Sequence, residues 1–159
     1  GTGCSSAQEI LASAPYFIDY KMTIPATSCK SSDPAQSVKL QSRESGLTNT
    51  EVDQNLVVTC PLNREAFTAN TSKNNSVFNV IVKMKKSTVD EGAMDCTLSE
   101  YIGETRFDSE TISISLNGTV LGYAEWKNWR PRNNLVNHAI ICDLLPKTAI
   151  TSIETRAIY

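Results

Sequence analysis

The residues of this chain best suited to covalent chemistry are its five cysteines: Cys4, Cys29, Cys60, Cys96 and Cys142. None of them stands in a Cys-x-x-Cys pair or a Cys/His cluster, so the spacing that metal binding and dithiol redox chemistry require is missing. Cysteines spread widely through strand-like segments of a small chain instead indicate disulfide bonds and an oxidising compartment. Because their number is odd, at least one thiol has no partner within the chain.

The placement of the cysteines favours two particular disulfides. Cys60, Cys96 and Cys142 each occupy an apolar position of an alternating, strand-like segment, and Cys29 is expected to end the first long strand. We therefore favour the pairs Cys29–Cys60 and Cys96–Cys142, which leave Cys4 in the N-terminal segment as a candidate for an intermolecular bond. The connectivity stays open at this point, because buried free thiols acting as small apolar side chains would give the same pattern.

Two short cysteine motifs resemble those of a protein family. Residues 25–29 read Pro-Ala-Thr-Ser-Cys and residues 58–61 read Val-Thr-Cys-Pro, and Cys142 is followed by Leu-Pro before the last strand. Over residues 22–159 the chain resembles small secreted bacterial proteins of unknown function that carry Pro-Ala-x-x-Cys and Val-x-Cys-Pro elements. The resemblance implies export and a β-rich fold, and it implies no known activity.

The segment 126–132, Trp-Lys-Asn-Trp-Arg-Pro-Arg, is the best candidate contact surface, because it holds both tryptophans of the chain among cationic side chains. Indole faces stack on sugar rings or enter partner pockets, and arginine supplies forked donors. The sequence predicts a loop that binds glycan or protein through Trp126, Lys127, Trp129, Arg130 and Arg132. The alternative is structural: one indole covers the core, the other shields a sheet end, and the basic residues face solvent.

Catalytic groups are sparse. The single histidine, His138, lies by alternation on the same strand face as Ile140 and Cys142 and is expected to be structural, since no nucleophile motif accompanies it. The acidic stretch 100–110 is expected to be a solvated loop rather than a carboxylate pair for glycoside hydrolysis. The acidic turn at 90–95 lacks the spacing of an EF-hand. We therefore expect no enzymatic activity, no cofactor and no metal site.

These side chains must be positioned by strands. Apolar and polar residues alternate in 16–24, 78–84 and 136–142, which predicts a strand in each segment. Residues 30–37 and 42–50 are rich in small polar side chains and are expected to be loops. Turn signals recur at intervals that are typical of β-sandwiches.

The clearest local signal is Asn117-Gly118, the pair favoured in a type I′ turn. Apolar residues alternate on both sides of it. A two-residue turn would place Ile114 opposite Leu121 and Ile112 opposite Tyr123, with all four side chains on one face. The sequence therefore predicts a hairpin whose apolar face is buried.

The 159-residue chain is long enough to bury a core of its own. Its net charge of −2 gives no electrostatic footprint for nucleic acid or anionic membrane. No apolar run is long enough to cross a bilayer. We expect an all-β antiparallel β-sandwich of about eight strands, with a jelly roll as one form and one short helix near residues 6–13. Residues 1–15 would be an N-terminal extension and residues 16–159 a single disulfide-stabilised domain.

The favoured function is a non-enzymatic structural or assembly subunit of a filament or surface layer. The protein would be secreted or on the cell surface, with the periplasm as the alternative, and would associate through its N-terminal segment, its sheet edges or Cys4. Strand 16–24 could pair within its own sheet or be lent to another copy. The alternative is a recognition module that binds glycan or protein through 126–132.

Three asparagines begin Asn-x-Ser/Thr sequons: Asn70, Asn74 and Asn117. Only a host with the machinery for N-glycosylation would modify them.

Overall fold

The computed structural model describes residues 18–44, 46–67, 77–87, 92–116, 121–132 and 136–158. Within these ranges the chain forms eleven strands and three short 3-10 turns, and none of the described residues is in an α-helix. The predicted all-β class is confirmed, with eleven strands where about eight were expected. The short helix predicted near residues 6–13 lies outside the described residues.

The strands are short in the first third of the chain and longer beyond it. Their bounds are β1 (Ile18–Pro25), β2 (Lys30–Ser31), β3 (Leu40–Arg43), β4 (Gly46–Asn49), β5 (Leu56–Leu62), β6 (Val77–Lys86), β7 (Ala93–Ile102), β8 (Thr105–Ser115), β9 (Leu121–Trp129), β10 (Asn137–Leu144) and β11 (Thr148–Ile158). The 3-10 turns are Ala26–Ser28, Pro34–Lys39 and Arg64–Phe67. β2 and β4 fall in segments that the sequence predicts as loops, and they become strands by pairing with β5 and β11.

The strand pairs in the described residues are antiparallel and form two sheets. The six-stranded sheet has the order β3-β4-β11-β6-β9, with β1 also pairing β11, and the five-stranded sheet has the order β2-β5-β10-β7-β8. Without the short strands β2, β3 and β4, the two orders are β1-β11-β6-β9 and β5-β10-β7-β8. This is the strand order of a jelly roll, so the predicted antiparallel sandwich takes that form.

The core lies between the two sheets and is built from the inward positions of the long strands. β6 contributes Val80, Val82 and Met84, and β10 contributes Ile140 and Cys142, all of them buried. The alternation in both segments predicts these inward faces, because each strand is covered on one side along its whole length. The outward positions of the same strands are therefore held on a rigid scaffold.

The structure contradicts the hairpin predicted around Asn117-Gly118. β8 pairs with β7 in one sheet, whereas β9 pairs with β6 in the other. The first inward position of β9 is Gly122. The side chain of Leu116, which follows β8, fills the space beside it, since a Cβ on Gly122 would lie 2.2 Å from Leu116 Cδ2. Leu121 and Tyr123, which the predicted register turns inward, are 65% and 63% exposed. Residues 117–120 themselves lie outside the described residues.

A second correction concerns residues 100–110, which the sequence predicts as a solvated loop. They belong to the hairpin of β7 and β8, which turns at Gly103 with a φ of 60°. Glu100 continues the inward phase of Cys96 and Leu98 and is only 1% exposed. β7 therefore carries a carboxylate into the sandwich, and such a group is stable there only with partners.

Candidate functional site

Both predicted disulfides are present. Cys29 is bonded to Cys60, and Cys96 is bonded to Cys142. The second bond joins direct cross-strand partners on β7 and β10, and the first ties the segment after β1 to β5. Cys4 lies outside the described residues, so its intermolecular bond stays a prediction.

The predicted binding segment 126–132 begins with a buried residue. Trp126 lies in β9 and is 0% exposed, and its indole nitrogen donates a hydrogen bond to the carbonyl oxygen of Glu110 on β8 over 2.9 Å. β8 and β9 are edge strands of different sheets. Trp126 therefore closes the gap between two sheet edges, and its ring is not available to a partner. For this residue the structural alternative holds.

A β-bulge turns the second tryptophan inward as well. Phe78 of β6 pairs with Trp129 while Val80 pairs with Trp126, so β9 carries one extra residue between these pairs. Asn128 adopts a φ of 57° at this point. In a regular strand, two residues three apart point to opposite faces. The extra residue brings both indoles to the inner face.

Trp129 joins a network of polar side chains inside one end of the sandwich. Its indole nitrogen donates to Nε2 of His138 over 3.0 Å. Glu100 accepts the backbone N–H of Arg132 at 2.9 Å, and Arg132 Nε lies 3.4 Å from its other carboxylate oxygen. Arg132 also reaches Asp108 over 3.2 Å. The buried carboxylate thus has the hydrogen bonds and the ion pair that burial requires.

His138 is buried, at 3% exposure. Burial lowers its pKa from 6.5 to about 4, since desolvation disfavours the charged imidazolium. Its Nε2 lies 3.3 Å from Oε2 of Glu100, a contact that would be an ion pair if the ring were charged. However, the indole N–H of Trp129 already occupies the Nε2 lone pair, so this nitrogen has no proton to give. The geometry therefore supports the neutral ring.

The other members of segment 126–132 have different surroundings. Lys127 and Arg130 are exposed. The guanidinium of Arg132 lies 4.9 Å from the ring centroid of Phe107, in addition to its two carboxylate contacts. The segment is thus a strand end with a bulge rather than a loop, and both of its indoles serve the interior. A binding role for its cations stays a prediction.

A different surface gathers side chains that the sequence analysis missed. We call it the outer face, meaning the outward positions of the six-stranded sheet, which include Lys21, Arg43, Lys83, Lys85, Leu121, Tyr123, Glu125, Lys127, Glu154 and Arg156. Tyr123 lies directly opposite Lys83, and Leu121 lies opposite Lys85. The alternation in β6 places Lys83 and Lys85 on the outward side of the strand. Tyr123 was not recognised as a surface residue, because the predicted hairpin register turns it inward.

Glu154 is the centre of charge on the outer face, and it is 4% exposed. Its Oε1 lies 3.2 Å from Nζ of both Lys21 and Lys83, and its Oε2 lies 2.8 Å from Nη2 of Arg156. Burial alone would raise the pKa of this carboxyl, but the hydrogen bonds from Arg156, Lys21 and Lys83 outweigh that effect and lower the pKa from 4.5 to about 2. The carboxylate therefore stays charged and holds three cations in a fixed array.

Other candidate sites are absent from the described residues or lie beyond them. In the part of the chain that the structure describes, no three His, Cys, Asp or Glu side chains are grouped so as to hold a metal ion. Across the same ranges, no helix is long and apolar enough to cross a membrane. Asp90 and Glu91 of the acidic turn lie outside the described residues, as do the sequon asparagines.

No protein-family model and no curated protein matches the chain. Similar solved structures include an exo-β-1,3-galactanase from Phanerochaete chrysosporium with galactose (12% identity, 88% of this chain, 29% of that chain, TM-score 0.44). They also include TmCBM61 in complex with β-1,4-galactotriose (9% identity, 92% of this chain, 87% of that chain, TM-score 0.38). A third is arabinose-bound MgGH51 α-L-arabinofuranosidase (8% identity, 87% of this chain, 23% of that chain, TM-score 0.36). The chain spans less than a third of the first and third, and at these TM-scores no ligand or activity is inferred from the likeness.

Proposed function

We propose that this protein is a secreted, non-enzymatic recognition module that binds a glycan on the outer face of its six-stranded sheet. The observation that carries the proposal is the pairing of Tyr123 and Lys83. The Tyr123 ring is 63% exposed on a sheet face and stands directly opposite a lysine held by Glu154. An exposed aromatic ring offers a stacking platform for the apolar face of a sugar, and the adjacent cation donates to its hydroxyls.

The make-up of the outer face favours a glycan over a protein partner. Protein interfaces have an apolar, well-packed centre that is depleted in charge, and they bury roughly 800 Å² on each side. Here the centre is the ion-pair cluster around Glu154, and the exposed apolar side chains are Leu121 and Tyr123 at one margin. A sugar chain needs one or two rings to stack on and many directed donors. This surface meets that requirement.

The state of the candidate catalytic groups supports a non-enzymatic role. His138 is buried and neutral, with its Nε2 lone pair engaged by Trp129. Glu100 is held by Arg132. A general acid or base must reach a proton on a bound substrate. His138 lines the groove beside β1, but its side chain and that of Glu100 are each only 1% exposed. The two disulfides support the extracellular part of the proposal, because such bonds persist in oxidising compartments.

A glycan array probed with the purified protein tests the proposal, followed by calorimetry on the best oligosaccharide. We expect Tyr123→Ala to weaken binding about tenfold, because the stacking platform is lost, with no change in melting temperature. The matched control is Val57→Ala, which removes a 46%-exposed apolar side chain from the opposite sheet. The proposal fails if the array shows no binding, if Tyr123→Ala binds normally, or if both variants weaken binding equally.

A second candidate is the assembly subunit, and the edge of β1 favours it. Among the described strands β1 pairs with β11 alone, so its other edge is open in this part of the chain. A groove of about 560 Å³ lies beside it, lined by Met22, Ile24, Pro61 and Leu62 among others. An open edge next to an apolar groove can accept an added strand.

Sedimentation at increasing concentration, with non-reducing gels and electron microscopy of secreted material, tests the assembly function. We expect polymers or dimers, and loss of any covalent dimer in Cys4→Ser. A protein that stays strictly monomeric at high concentration in all three measurements would contradict it. The glycan proposal does not depend on this outcome.

A further inference from the structure

We infer that the glycan is acidic, and that its carboxylate or sulfate group binds in a cleft formed by Arg43, Lys85 and Lys147. The inference rests on the proposed function and adds the class of ligand to it. The cleft has a volume of about 210 Å³ at one end of the outer face, and its lining also includes Thr48, Ser87 and Ala149. Among these lining residues three are cationic, two carry hydroxyls and none is acidic.

Strand pairing brings the floor and one wall of the cleft together. Ala149 of β11 lies opposite Thr48 of β4 on one side and opposite Lys85 of β6 on the other. The three side chains therefore form a row across the sheet with a methyl group at its centre. This small residue leaves a depression between a hydroxyl and an ammonium group, and cross-strand neighbours are about 5 Å apart at Cβ.

Arg43 and Lys147 close the cleft from opposite ends, and both are held in place. Arg43 donates from Nε and Nη2 to Oε1 of Gln41, at 3.0 and 2.6 Å, which orients its guanidinium. Lys147 sits in the turn before β11, where its carbonyl accepts from the backbone N–H and the hydroxyl of Ser87 and its own N–H donates to the carbonyl of Asn49. Because the Arg43 guanidinium is already oriented and the backbone at Lys147 is fixed, less freedom is lost at these two points when an anion binds.

The backbone conformation of Lys147 also supports a role for its side chain in the cleft. Its φ is 57°, a conformation that glycine or asparagine adopts at lower cost than lysine. The side chain that lysine brings is a cation at the cleft. Lysine at position 147 therefore costs conformational free energy in the backbone and adds a positive charge to the cleft.

The charges of the cleft differ from those at the centre of the outer face. Lys83 is paired with Glu154. Within the described residues, by contrast, neither Lys85 nor Lys147 has an ion pair, and the chain as a whole has a net charge of −2. Cations gathered without acids attract an anion that the rest of the molecule repels. Guanidinium and ammonium groups bind carboxylate and sulfate oxygens through charge-assisted hydrogen bonds.

The cleft is also at the right distance from the proposed stacking ring. Lys85 lies two residues beyond Lys83 on β6, and Lys83 is opposite Tyr123. Two residues along a strand span about 7 Å, and the two strand spacings from β9 to β11 add about 10 Å across the sheet, so Ala149 lies on the order of 12 Å from Tyr123, a span for a short oligosaccharide. One acidic chain lying across β6 can therefore stack on Tyr123 and place its charged group in the cleft.

The test is calorimetry with four matched probes: a neutral oligosaccharide, an oligouronate, the methyl ester of that oligouronate, and a sulfated oligosaccharide of equal length. We expect an acidic probe to bind at least tenfold more tightly than the neutral one, with an affinity that falls as salt is added. Binding of the oligouronate and not of its ester would identify a carboxylate ligand. A preference for the sulfated probe would identify a sulfate.

Two substitutions test whether the charged group of the glycan binds in the cleft. We expect Lys85→Gln and Lys147→Asn each to weaken binding of the acidic probe about threefold to tenfold and to leave the neutral probe unaffected. Asparagine tolerates the φ of residue 147, so folding is preserved, and melting temperatures confirm it. Lys30→Gln, which removes an exposed cation from β2 of the five-stranded sheet, is the control and should bind normally.

The outcomes separate this inference from the function on which it rests. Equal binding of neutral, esterified and acidic probes would overturn the inference and leave glycan recognition in place. Binding of none of them would overturn both. An equal loss of affinity in Lys30→Gln would show a diffuse charge effect and would overturn the cleft as the site.

Discussion

The indole nitrogen of Trp129 donates a hydrogen bond to Nε2 of His138 across 3.0 Å, and this contact fixes the charge state of the only histidine in the chain. Nε2 can accept that proton only if it carries none of its own. The contact therefore selects the neutral ring, in agreement with the burial that lowers its pKa to about 4. Charged groups also face this site: Glu100 from β7, with Arg132 and Asp108 beyond it.

The first prediction is that His138 lowers the free energy of unfolding in acid. The unfolded chain takes up a proton at His138 as the pH falls below 6.5, whereas the folded protein does not until about pH 4. The free energy of unfolding should therefore fall between pH 6.5 and 4, by up to roughly 3 kcal/mol from this residue. Urea unfolding at several pH values in this window measures the effect.

The matched control for this prediction is His138→Gln. Glutamine can accept the Trp129 hydrogen bond and does not titrate in this range. Carboxylates, including Glu154 with its pKa of about 2, titrate in both proteins, so the difference between the two proteins isolates His138. Identical pH profiles for the two proteins would contradict the prediction.

The second prediction concerns Trp126 as the closure between the sheet edges. Trp126→Phe removes the donor to the Glu110 carbonyl and leaves part of a fully buried volume empty. We expect the free energy of unfolding to drop by about 2–4 kcal/mol. Trp129→Phe, in a half-buried site, should lose less. Chemical denaturation of both variants makes the comparison, and an equal or smaller loss for Trp126→Phe would refute the role given to it.

The third prediction is that each disulfide stabilises the sandwich to a similar degree. The bonds Cys29–Cys60 and Cys96–Cys142 close loops with separations of 31 and 46 residues. Loops of this size correspond to about 4 kcal/mol each in the chain-entropy account. Replacing either pair by alanine should lower the free energy of unfolding by about that amount. Non-reducing peptide mapping should show both linked peptide pairs, and five free thiols in the native protein would contradict the structure.

The sequence predicted the parts of the fold in which one strand face is buried from end to end. β6 and β10 are such strands, and their inward residues follow the alternation. In β9 the alternation of apolar and polar residues gave the wrong inward face, since the large side chains of Leu121 and Tyr123 are exposed while the small Gly122 and Ala124 lie on the inward side. Packing space, and not hydrophobicity, sets the phase there, and a sequence pattern does not contain the shape of the opposite sheet.

The candidate sites were less predictable, for two physical reasons. The inward phase of β7 includes Glu100, so its burial could have been read from alternation, but its partner Arg132 is 32 residues away. The bulge at Asn128 reverses the direction that a regular strand gives to Trp129. An asparagine between two tryptophans is a weak signal for such a bulge. The acidic-ligand cleft joins side chains of β3, β6 and the turn before β11, and only the topology brings those together.

The last prediction concerns Gly46, which begins β4 beside the irregular register of β11 between Ile150 and Ser152. Its φ is 118°, and a Cβ there would lie 2.0 Å from the carbonyl oxygen of Ile150. Because the clashing atom belongs to the backbone of a central strand, it cannot move aside. Gly46→Ala should therefore lower the free energy of unfolding by about 3 kcal/mol or more.

Gly103 is the matched control for Gly46→Ala. It also has a positive φ, of 60°, but a Cβ there would meet nothing within 4 Å. Gly103→Ala should therefore lower the free energy of unfolding by only about 1 kcal/mol. Because β3 and β4 carry Arg43 and Thr48 to the cleft, Gly46→Ala should also weaken binding of the acidic probe, while Gly103→Ala should not. Equal stability of the two variants in urea would show that β4 does not approach β11 as closely as the structure describes.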